Sequence, residues 1–177
     1  MRLRRVLPIC AATLAGAGLA AGVAIASSPS AGSPPGQWQN YRSQPFAYTA
    51  GDVCAFGVHG DIVKDKERMR TLLTYPDGKP QEQEFTGPLF VRFTNQSSGK
   101  SVVRDLSGTG WFFYGRDGAT FGHAFEHLSI SIHQVNTSPA PGLYYLSGAF
   151  DFAINPDGTR NFTVEHGTTE NVCRTLA

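Results

Sequence analysis

The chain lacks most of the patterns that announce an activity. It has no C-x-x-C pair, no G-x-S-x-G elbow and no internal repeat of fixed period. A thioredoxin-like redox centre, the nucleophile turn of an α/β-hydrolase and a solenoid or propeller are therefore not expected. Charge is sparse as well: Asp, Glu, Lys and Arg make up 16% of the residues, with the two signs interspersed. No basic stripe stands ready to neutralise phosphates, so nucleic acid is not expected as a partner. Cysteine is scarce, three residues in 177, and the first of them lies in a segment of a different kind from the rest.

That segment, residues 1–26, reads as a secretion signal peptide. Arg2, Arg4 and Arg5 precede a stretch of Ala, Leu, Gly and Val, which ends at Ala24, Ile25 and Ala26 with small residues where a signal peptidase cuts. A retained membrane anchor is the weaker reading, because the stretch is rich in Gly and Ala and follows Pro8. Twin-arginine export lacks its flanking residues, and Cys10 lies too early for a lipidated cysteine. The expected location is secreted, with no stable membrane insertion after cleavage. Removing the three arginines takes the formal net charge from +1 to −2.

Only Cys54 and Cys173 survive that cleavage. An even number in an oxidising compartment favours one disulfide over two free thiols, and the bridge would tie the beginning of the domain to its end.

Residues 27–45 are rich in Ser, Pro and Gly and read as a flexible linker, since such a composition buries too little apolar surface to offset its ordering entropy. Trp38 and Tyr41 are the exceptions and are expected to dock on the domain behind them. Residues 46–177 form that single domain.

Within it the hydrophobic period is two. Leu89, Val91 and Phe93 alternate with Phe90, Arg92 and Thr94, and the same template fits Val53 to Val58, Met69 to Leu73, Ser101 to Leu106, Trp111 to Tyr114, Leu143 to Ile154 and Phe162 to Val164. Turn residues punctuate these strands at Tyr75 to Gly78, Asn95 to Gly99, Arg116 to Gly118 and Asn155 to Gly158. The mixed charge run Lys64 to Arg68 reads as a solvated hairpin tip. Strands joined this way are antiparallel neighbours. The expected fold is all-β, a single-domain antiparallel β-barrel of about eight strands, with a β-sandwich as the alternative. Segment 129–141 is the one place for a long return connection.

Asp52 to Phe56 opening the first strand, Phe93 to Asn95 with Gly99 and Lys100 at a hairpin, and Asn171 to Cys173 near the end resemble a group of uncharacterised secreted proteins of actinobacteria. The resemblance covers nearly the whole mature chain and implies an extracellular home in a Gram-positive organism. It also places both cysteines where that pattern has them, and it implies no activity.

The sharpest chemical motif is His123-Ala124-Phe125-Glu126-His127, the H-x-x-E-H of inverted zinc peptidases. On a helix the two histidines would grip one zinc while Glu126 polarised a bound water. Here the flanking residues are strand-like, so surface histidines on a strand or loop are the plainer reading. Ser98 to Ser101 echoes a phosphate-binding loop but joins two strands and has Thr94 where the leading Gly belongs. A Ser–His–Asp set has no spacing to define it. Carboxylates such as Asp151, Glu126 and Glu165 could pair for glycoside hydrolysis, yet nothing selects them. His59 and His133 read as structural histidines. Asn95, Asn136 and Asn161 open N-x-S/T triplets.

Aromatic residues, 11% of the chain, lie entirely beyond the leader. They suit either a filled core or an aromatic-lined cup for a small apolar ligand. The expected function is a secreted, non-catalytic binding or interaction module closed by one disulfide, with no cofactor. Its partner would be a small apolar molecule or an extracellular macromolecule. The alternatives are a lipocalin-like carrier and a secreted zinc-dependent hydrolase using His123, Glu126 and His127.

Overall fold

A computed structural model describes residues 36–133 and 138–177. The expected leader, the first part of the expected linker (27–35) and residues 134–137, with Asn136, lie outside the described residues. The chain forms β1 (Gln39–Asn40), β2 (Phe46–Tyr48), β3 (Val58–Asp65), β4 (Arg68–Thr74), β5 (Pro80–Gly87) and β6 (Leu89–Asn95). It continues through β7 (Ser101–Asp105), β8 (Gly108–Tyr114), β9 (Thr120–Ile132), β10 (Gly142–Ile154), β11 (Arg160–Asn171) and α1 (Val172–Leu176).

The turn chemistry locates the hairpins. In three of them a Gly at positive φ (Gly78, Gly118, Gly158) donates its N–H to the carbonyl three residues back, at Tyr75, Gly115 and Asn155. These turns join β4 to β5, β8 to β9 and β10 to β11, and Asn95 to Gly99 joins β6 to β7 in a related way. The Asn95 side chain is absorbed by this fold: its Oδ1 accepts from the Ser97 and Ser98 amides, and its Nδ2 donates to the Leu176 carbonyl at 3.0 Å.

Two antiparallel sheets result, one in the order β1-β4-β5-β8-β9-β10-β11 and one in the order β2-β3-β6-β7. The all-β expectation holds. A closed barrel is not found among the described residues, and the layout is equally consistent with a sandwich. The reason lies at the corners. Lys66 and Glu67 alone separate β3 from β4, Pro88 alone separates β5 from β6, and Leu106 and Ser107 separate β7 from β8. Three consecutive pairs of strands thus pass from one sheet into the other over a residue or two, as in sandwiches whose corners are made by strands that switch sheets. Backbone bonds link the corners, Lys66 N to Pro88 O at 2.8 Å and Leu106 N to Leu89 O at 2.7 Å.

The corner line continues across the larger sheet. Gly87 pairs with Gly108, Gly108 with Glu126, Glu126 with Gly148, and Gly148 with Gly167, so one row of five residues crosses five strands. All but Gly108 have positive φ. The long strands β9, β10 and β11 are creased there.

Three segments differ from the sequence expectation. Val53 to Phe56 are not a strand, and β3 begins only at Val58; Cys54 is held there by its bond to Cys173, with Cα atoms 5.4 Å apart. The charge run Lys64 to Arg68 is no hairpin tip but the β3 to β4 corner, where Asp65 is enclosed by Arg42 and Ser43. Gln39–Asn40, within the stretch read from composition as spacer, pairs with β4. Arg70 lies 4.6 Å over the Trp38 ring while bonding Glu84, and Tyr41 meets Phe85 edge-on.

Val172 and Leu176, four apart on α1, bury one face of that helix among Val58, Val91 and Phe93. Asn171 caps it, accepting from the Arg174 amide. A second cluster, with Ile132, Leu146 and Phe150, lies on the larger sheet.

Candidate functional site

Between the two sheets lies a cavity of about 240 Å³. The smaller sheet contributes Phe46, Tyr48, Ile62 and Val91 to its wall, and the larger sheet contributes Phe85, Phe112, Ile130 and Phe152. Alternation along the strands aims these side chains inward. Tyr41, Phe85, Phe112 and Phe152 run along one wall as successive edge-to-face contacts with centroids 4.9–5.0 Å apart. Gly108, Gly110 and Ala124, which carry no long side chain, stand in the same wall. The aromatic residues therefore line a hollow instead of closing it.

Two clusters of polar groups sit on this wall. At the β3 to β4 corner, Glu67 accepts a 2.6 Å bond from the Ser43 hydroxyl. Burial pushes its carboxyl up to about 7, against the pull of the Ser43 bond and with added repulsion from Asp65. At the second place, Tyr48, Ser131 and Arg160 meet. Arg160 donates to the Ser131 hydroxyl and carbonyl, and burial raises the Tyr48 phenol above its ordinary value although its bonds to Ser131 and Arg160 oppose this. His133 completes the group: its Nε2 is 3.0 Å from Ser131 Oγ and its Nδ1 is 2.8 Å from Asp52 Oδ1. Tyr114, also on the wall, is raised by burial and donates to Gln83 at 3.0 Å.

The H-x-x-E-H window falls on β9 and not on a helix. Positions four apart on an extended strand are about 13 Å apart, where a shared helix face would hold them within about 5–6 Å. His123 and His127 accordingly have separate partners. His127 bonds the Ser107 carbonyl at 3.0 Å and stacks on Tyr145, while His123 bonds Asp151 at 2.6 Å on the outer face. Glu126 is exposed at the crease. The zinc-peptidase constellation is not formed, because the Gly-containing hairpin before it and the ladders to β8 and β10 hold this window extended. His123 instead meets Asp151 and Glu165, whose candidate ligand atoms lie within 4.8 Å of one another. Glu165 reaches that face because it is the extra residue of the bulge opposite Ala149 and Phe150.

Asp52, Ser131, His133, Arg160 and Glu67 carry no motif in the sequence. The one signal that could have drawn attention to Glu67 is its place in an alternating charge run between two strands. Comparisons of the chain with protein-family models, curated proteins and solved structures find no match.

Proposed function

We propose that the chain is a secreted binding protein whose inter-sheet cavity holds a small, largely apolar molecule. The observation that carries this reading is the hollow itself, about 240 Å³ with four aromatic rings in series on one wall. An apolar cavity of roughly 150 Å³ already takes up a benzene-sized guest, so this one suits a bicyclic or short-chain molecule. The polar clusters at Glu67 and at Tyr48, Ser131 and Arg160 would orient the guest, in the way a few placed polar groups give direction to apolar pockets. Below about pH 7 Glu67 carries a proton and can donate to a carbonyl or ether oxygen. Secretion, proposed from the leader, agrees with the Cys54–Cys173 disulfide, and no helix among the described residues is long and apolar enough to cross a membrane.

The test is a native mass spectrum of the purified protein, read for a copurifying small molecule, beside a titration with 1-anilinonaphthalene-8-sulfonate. The dye is expected to bind at one site, and Ala124→Phe, which fills the hollow, is expected to weaken it at least about tenfold. Dye binding unchanged in Ala124→Phe would remove the cavity as the site.

A further inference from the structure

Ser131 and Arg160 line the cavity, and His133 and Asp52 stand behind Ser131 in a chain of donors and acceptors. Asp52 Oδ1 lies 2.8 Å from His133 Nδ1, and His133 Nε2 lies 3.0 Å from Ser131 Oγ. A guanidinium can only donate, so Ser131 Oγ accepts from Arg160. A carboxylate accepts, so His133 donates its Nδ1–H to Asp52 and Nε2 is left to accept from the serine hydroxyl. That is the connectivity of a serine nucleophile, its histidine base and the carboxylate that orients the base. Ser131 is 1% exposed and lines the cavity, so a reactant reaches it only from inside. Ser131 lies near the end of β9 and His133 follows one residue past that end, two positions on, with its ring turned to the Ser131 hydroxyl. Asp52 comes from the segment before Cys54, 81 residues away, and that segment is pinned by the disulfide.

We propose that Ser131, His133 and Asp52 form an acyl-transfer centre in the cavity wall that hydrolyses a small ester with a largely apolar acyl group. This rests on the cavity being the binding site proposed above. Ser131 Oγ attacks the ester carbonyl carbon as its proton passes to His133 Nε2. The carbonyl oxygen, now carrying the negative charge, faces the Arg160 guanidinium and the Tyr48 hydroxyl, which stand beside Ser131. The C–O bond to the alcohol breaks, and His133 returns the proton to the departing oxygen. Water then attacks the acyl-serine, giving one proton to His133, and the carboxylic acid leaves as Ser131 regains its hydrogen. Asp52 is a positioning residue that holds the His133 tautomer.

The experiment treats the wild-type protein with diisopropyl fluorophosphate and follows p-nitrophenyl butyrate hydrolysis, with the naphthalene dye as a separate monitor of the cavity. The expected result is a single adduct, mapped to Ser131 by peptide mass, and an esterase activity that Ser131→Ala or His133→Gln lowers by about 1,000-fold or more. Asp52→Asn is expected to lower kcat while leaving dye affinity and the unfolding midpoint in place. Dye binding with Ser131 unmodified overturns the acyl-transfer centre and leaves the binding protein standing. An adduct at another residue also overturns it. Absence of both dye binding and adduct overturns both readings. The labelling is read on the wild type, so a variant that fails to fold does not decide the matter.

Discussion

Glu126 on β9 stands directly across from Gly148 on β10, and both have positive φ, 75° and 121°. Gly148 in turn faces Gly167, and a methyl group on either would collide with the backbone of the other strand, at the His166 carbonyl or the Ser147 carbonyl. Glu126 is the one non-glycine at positive φ among the described residues. It holds there a conformation that costs an L-residue about 1–2 kcal/mol.

Replacing Glu126 by glycine is therefore expected to stabilise the domain by about 0.5–1 kcal/mol, since relief of strain exceeds the extra freedom of glycine in the unfolded chain. Gly148→Ala is expected to destabilise it by more than about 2 kcal/mol, because the colliding atom is backbone and has nowhere to go. Urea unfolding of the wild type and both variants, with equal slopes, checks both signs; a Glu126→Gly protein less stable than wild type would show that the crease is relaxed.

The Cys54–Cys173 bond closes a loop with a sequence separation of 119. Loop entropy assigns a closure of that length about 4–5 kcal/mol. The double change Cys54→Ser with Cys173→Ser is expected to lose about that much, a large part of the roughly 5–15 kcal/mol that holds such domains folded. Equilibrium unfolding with and without a thiol reductant measures it, and a loss under about 1 kcal/mol would contradict the closure.

Glu67 should make stability fall with rising pH. Its carboxyl is raised by burial from 4.5 to about 7, so the folded state binds the proton more tightly than the unfolded state does. The contribution is complete below about pH 4.5 and is lost as pH climbs through about 7, a change of about 2–3 kcal/mol allowing for its partial exposure. Glu67→Gln keeps the bond to Ser43 and is expected to flatten that part of the profile. Unfolding midpoints between about pH 5 and 8 decide it; equal slopes in both proteins would count against the buried proton.

Arg104 on β7 joins Glu170 on β11 by two bonds, Nε to Oε2 at 2.7 Å and Nη2 to Oε1 at 2.8 Å. The pair ties an edge of one sheet to an edge of the other, where no backbone ladder does. The bond to Arg104 lowers the Glu170 carboxyl below its usual range. Its contribution is therefore present above the ordinary carboxylate value and is lost as pH falls through the lowered one. Arg104→Met is expected to cost about 1 kcal/mol at about pH 7 and nothing at about pH 2, by the same unfolding assay.

Local chemistry made much of the fold legible. Pro76-Asp77-Gly78 and Asn155-Pro156-Asp157-Gly158 require their turns whatever surrounds them, and the alternation in Leu89 to Thr94 marks a strand with one buried face. Parity of the surviving cysteines pointed to the bond between Cys54 and Cys173. The same local reasoning misled at Lys64 to Arg68, where charge suggests water. Arg42 and Ser43 come back from some twenty residues away to enclose Asp65.

Most of the strands, the glycine-closed hairpins and the disulfide partners thus followed from residues in order, because each depends on backbone preferences within a few positions or on a parity of thiols. Tertiary structure alone decided that the two sheets meet at creased corners, that aromatic rings surround a hollow, and that Asp52 reaches His133 across 81 residues. Such meetings depend on where distant strands lie after folding. No spacing within the sequence encodes them, and the ordering that brings the groups together is set by the whole chain at once.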